Sequence, residues 1–75
     1  MKRIWLKKHR TSAGFTQLEI ATYCNITRSY YSQIELGMKT PNVDIAKRLG
    51  EKLQFNWAAL YEESAPEIFE KLIAN

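Results

Sequence analysis

Cysteine appears once in this 75-residue chain, at Cys24, and histidine once, at His9; proline appears twice and glycine three times. A single thiol cannot close an internal disulfide, so the fold must hold without one, and a reducing compartment, the cytoplasm, is expected. One imidazole and one thiol with no supporting acid supply neither a metal set nor a nucleophile with its base. Catalysis, a metal or another cofactor is therefore not expected, and no motif points to a small-molecule ligand. So few prolines and glycines exclude a linker-rich or disordered protein. The apolar runs are only a few residues long, which excludes a membrane-spanning helix. In MKRIWLKKHR the positive charge stands on both sides of a short apolar trio, so a secretory leader is not expected.

Apolar residues make up 45% of the chain, enough for one compact core. A chain of this length buries only about 60% of the surface its unfolded form exposes, so stability should be modest. Charge is distributed unevenly. Residues 1–48 carry nine Lys or Arg against three acids, whereas residues 49–75 carry two against five. Such a chain can offer a basic face to a polyanion while its acidic end points away.

The stretch Thr16 to Leu36 reads as two short helices joined by a tight turn. Thr16 and Glu19 have the spacing of a capping box, which starts a helix at Gln17 and carries it to Tyr23 or Cys24. Leu18, Ile20 and Ala21 are expected to face inward. Ile26 sits in the turn. Thr27 caps a second helix from Arg28 to Leu36, with Tyr31 and Ile34 buried, and Gly37 stops it. The outer side of that helix then holds Arg28, Ser29, Ser32 and Gln33. These are basic or uncharged hydrogen-bonding groups with no acid among them, a set suited to base edges.

Gly14-Phe15-Thr16-Gln17-Leu18-Glu19-Ile20-Ala21, then Ile26-Thr27, then Ser32-Gln33-Ile34-Glu35-Leu36-Gly37 and Pro41 resemble the helix-turn-helix family of phage repressor and Cro proteins, often called XRE-like. The resemblance covers roughly residues 4–61. It implies an all-α fold, a compact five-helix repressor-like domain over residues 1–62 with the helix-turn-helix at helices 2 and 3. It also implies a structural ion pair between Arg10 and Glu35, and it gives His9 a place where leucine is usual, so a half-buried histidine is expected. The first helix should run from Lys2 or Arg3 to Ser12, with Leu6 inward, Trp5 off the core stripe and Gly14 closing it. Asn42 should cap a fourth helix with Val43, Ile45, Ala46, Leu49 and Leu53 as its apolar set. Gly50 is expected to allow a close helix crossing. Asn56 should cap a fifth helix from Trp57 to Tyr61, with Phe55, Trp57 and Leu60 returning to the core.

Function follows as an expectation from the same resemblance: a sequence-specific regulator of transcription, read as a repressor, with the helix beginning at Arg28 in the major groove of double-stranded DNA. Arg28 suits a guanine and Gln33 an adenine, with Ser29 and Ser32 assisting. Gln17, at the positive end of its helix, would hold a phosphate, as would Tyr30, Lys39 and Thr40, with Arg10 a further candidate. Residues 63–75 are expected to form a sixth helix with Ile68, Phe69, Leu72 and Ile73 along one stripe, either docked on the same domain or pairing two copies over a palindromic operator. A competing class keeps the fold but acts as an antitoxin or adaptor through that tail. A scaffold without partners is disfavoured by the acid-free outer face.

Overall fold

A computed structural model of the chain describes residues 2–62. Five helices follow one another: α1 (Ile4–Ser12), α2 (Gln17–Tyr23), α3 (Arg28–Glu35), α4 (Val43–Leu53) and α5 (Ala59–Glu62). The described residues contain no strand, as an all-α fold requires. The expected sixth helix and its apolar stripe lie outside the described residues.

Local chemistry sets the helix starts. Thr16 Oγ1 accepts from the Glu19 amide at 3.1 Å, and Glu19 Oε1 accepts from the Thr16 amide at 2.8 Å, so the capping box closes in both directions. Thr27 Oγ1 accepts from the Tyr30 amide at 3.0 Å, and Asn42 Oδ1 from the Ile45 amide at 2.9 Å. The helix ends repeat one device. After α1, α2 and α3 the chain turns left-handed at Gly14, Asn25 and Gly37. In each case the next amide reaches back to a carbonyl five residues earlier: Phe15 to Arg10, Ile26 to Ala21, Met38 to Gln33. This Schellman closure satisfies carbonyls that the helix itself leaves open. Gln54 plays the same part after α4, its φ of 61° carried without a glycine.

Leu6, Ile20, Ala21, Cys24, Tyr31, Ile34, Ala46, Leu49, Leu53 and Leu60 form one buried cluster that draws on all five helices. Three expectations about packing are corrected. Leu18 is 59% exposed, because the buried face of α2 is centred on Ile20 and Cys24 and Leu18 lies roughly 140° around the helix from that centre. Val43 is 42% exposed at the first position of α4, at the edge of its stripe. His9 is exposed, its ring resting 5.5 Å from that of Phe55 and 6.3 Å from that of half-buried Trp5. Gly50 does need its smallness, but for a returning turn and not a helix crossing: a Cβ there would stand 2.7 Å from the Phe55 carbonyl oxygen. The regular part of α5 begins at Ala59 and not Trp57. Asn56, Trp57 and Ala58 precede it as a turn whose carbonyls accept from the amides of Ala59, Leu60 and Tyr61, three residues on, and Asn56 Oδ1 accepts from the Ala58 amide at 3.1 Å.

Candidate nucleic-acid interface

α3 is held from beneath by a buried polar cluster. Glu35 faces inward, 6% exposed, and its carboxylate accepts from Arg10 Nε at 2.5 Å, Tyr31 Oη at 2.7 Å and Gln17 Nε2 at 3.1 Å. A second contact from Arg10 Nη2 is long, at 3.4 Å, so the guanidinium grips with one strong bond and one weak one. Burial by itself would push the Glu35 carboxyl up. The hydrogen bonds from Arg10, Tyr31 and Gln17 outweigh it and hold the group below the usual carboxylate range. The bond to Glu35 raises Arg10 further despite its burial, and burial followed by the bond to Glu35 raises Tyr31.

With its underside fixed, α3 presents Arg28 and Ser29 to solvent, and Ser32 and Gln33 are half-exposed on the same outer side. The one acid of the helix, Glu35, is turned into the protein. Gln17 stands at the start of α2, half-buried; its amide nitrogen spends one hydrogen on Glu35, and a second N–H remains on that nitrogen. Tyr30 is half-buried against the core rather than fully outward. Lys39 and Thr40 are exposed in the turn after α3. Arg10, named as a further phosphate contact, is 8% exposed, with Nη1 donating to the Phe15 carbonyl at 2.9 Å, so its donors point inward. Ile68, Phe69, Leu72 and Ile73 lie outside the described residues.

A groove of about 470 Å³ runs between α1 and the α2–α3 pair. Lys2, Lys7, Gln17 and Ser32 line it together with the apolar Ile4 and Leu36. Lys2, just before α1, and Lys7 within it thus share this groove with Ser32 of α3. Among the described residues no group of three His, Cys, Asp or Glu is placed to hold a metal ion, and no helix is long and apolar enough to cross a membrane.

Sequence reasoning passed over Arg3, which is 3% exposed with its guanidinium against the end of α3. A signal was present. Arg3 stands where α1 should have a Ser, Thr, Asp or Asn cap, and an arginine at that position implies that something other than capping holds it. The Tyr31 hydroxyl was also missed, although Tyr31 and Glu35 have the i, i+4 spacing that brings side chains together.

A family model described as helix-turn-helix matches residues 6–60. The chain is 46% identical over 67 residues to an uncharacterized HTH-type transcriptional regulator, YqaF, of Bacillus subtilis (strain 168), an alignment covering 89% of this chain and 88% of that protein. No solved structure matches.

Proposed function

The chain belongs to the helix-turn-helix family, and from that premise we propose that it is a sequence-specific regulator of transcription that binds double-stranded DNA through α3. One observation carries this reading. The outer side of α3 is acid-free and solvent-facing because Glu35 is buried beneath the helix in a fully hydrogen-bonded cluster. A helix merely solvated would have no reason to hide its only acid at the cost of desolvating it.

Arg28, at the N-terminal end that enters the groove first, takes a guanine through its forked donors; Gln33 takes an adenine in the same bidentate manner. Ser29 and Ser32 add single contacts. Gln17, Tyr30, Lys39 and Thr40 bond phosphate oxygens, which fixes register but carries no sequence information. A second copy joins through Ile68, Phe69, Leu72 and Ile73, so that two α3 helices meet half-sites about 10 base pairs apart or a multiple of that. The protein then acts by occupancy, as a repressor in the cytoplasm, and not by catalysis.

Selection of binding sites from random duplexes, followed by titration of the selected one, tests this. Arg28→Ala should flatten the preference between sequences. Lys39→Ala should weaken every sequence alike and lower the salt slope by about one. Equal behaviour of the two variants would overturn the assignment of roles. Tight binding to another protein, with no duplex affinity at low salt, would replace the reading by that of an antitoxin or adaptor.

A further inference from the structure

We propose that Arg3 is a positioning residue for DNA binding: it locks the turn after the recognition helix, so that Lys39 and Thr40 meet the duplex at a fixed height relative to Arg28. This rests on the DNA-binding reading above and adds to it a residue that never touches the duplex. The side chain runs inward from the start of α1. Its Nη1 donates to the Ile34 carbonyl at 2.6 Å and to the Lys39 carbonyl at 3.0 Å. Its Nη2 donates to Thr40 Oγ1 at 3.2 Å and, more weakly, to the Leu60 carbonyl at 3.4 Å. The Arg3 amide donates to the Glu35 carbonyl at 2.8 Å. One residue therefore spans the last turn of α3, the turn beyond it and α5.

The chemistry suits that place. Carbonyls at a helix C-terminus carry partial negative charge, so a cation is favourable there. A guanidinium is planar, with five N–H groups in a fixed fork, so the acceptors it bridges are held at set distances from one another. The turn's own bonds run from Gly37, Met38 and Lys39 back to Ile34 and Gln33. Arg3 adds the ties at the Lys39 carbonyl and the Thr40 hydroxyl, the part of the turn that faces phosphate. A lysine keeps the charge and the aliphatic stem, but its donors radiate from one nitrogen and cannot span the end of α3 and Thr40 together.

Arg3→Lys is therefore the variant to examine, its folding checked by circular dichroism. On duplexes of different sequence it should lower affinity throughout, leave their rank order unchanged and reduce the salt slope by about one. Added to a Lys39→Ala, Thr40→Val background it should bind within about twofold of that background, because the two contacts Arg3 positions are already gone. Combined with Arg28→Ala the losses should multiply. A wild-type salt slope in Arg3→Lys, or multiplied losses on the Lys39→Ala, Thr40→Val background, would overturn the assignment. Nuclear magnetic resonance of the unmodified protein gives a separate measure that needs no variant to fold. The Arg3 Nη protons should give distinct, slowly exchanging signals while those of Arg28 average; averaged Arg3 signals would equally overturn it. Should the unmodified protein ignore every duplex at low salt, the regulator reading falls by itself, and the Arg3 clamp is judged on those signals.

Discussion

Glu35 accepts bonds from three side chains in a place that water barely reaches, and the cost of disturbing it follows from that burial. Replacing Glu35 by Gln leaves the Arg10 guanidinium buried without its counter-charge, which should cost about 3–5 kcal/mol in urea unfolding. The same carboxylate sets the acid limit. Its folded value lies below its ordinary one, so its contribution is complete above the ordinary carboxylate range, about pH 4.3, and is lost as pH falls through that range toward the folded value. At the other extreme the Tyr31 phenol is raised, so its contribution is complete below about pH 10 and is lost as pH rises beyond. Thermal unfolding followed across pH should therefore lose stability at both ends, and Tyr31→Phe should reduce the alkaline loss, leaving the part that belongs to the Cys24 thiol and the Tyr61 phenol, which burial also raises. The Arg10–Glu35 pair was legible because two oppositely charged residues stand where the family resemblance puts them. Arg3 was not, since its partners are mostly backbone carbonyls, and every residue has one of those.

The helices are closed by short-range bonds, and this explains why their limits were readable while their orientation was not. Thr16, Thr27 and Asn42 act on amides three residues away, and Gly14 and Gly37 on carbonyls within one turn, so the sequence holds both partners. The burial of Leu18 depends on where α1 and α3 lie, which a spacing of three residues cannot convey; Ile20 and Cys24 fixed the inward face and left Leu18 outside. Gly37→Ala forces a Cβ into a left-handed position with φ of 77° and should cost about 1–2 kcal/mol, measurable by chemical denaturation. Gly50→Ala weighs two effects against each other. The helix gains about 1 kcal/mol of intrinsic preference. A methyl 2.7 Å from a backbone oxygen, however, forces the Phe55 turn outward at about 1–3 kcal/mol, and the oxygen belongs to main chain that cannot rotate away. A net loss is expected, with the fluorescence of Trp57 reporting the displaced turn.

At the scale of the whole molecule the basic first part and acidic last part should make duplex affinity fall steeply with salt, each neutralised phosphate adding about 0.9 to the slope. If residues 63–75 join two copies, Phe69→Glu should turn a dimer into a monomer in sedimentation while the helical signal of the domain persists. That variant should lose most of its affinity for a paired site and little for a single half-site. The size of α3 gives this division of labour its reason. Eight residues of helix rise about 12 Å, which spans about four steps of a duplex at about 3.4 Å each. Four letters read without error pick out about one sequence in 256, and a chromosome of about a million positions repeats such an address thousands of times. A single α3 would therefore carry too little information to find one gene, and in the proposed pairing of two copies the word is spelled twice.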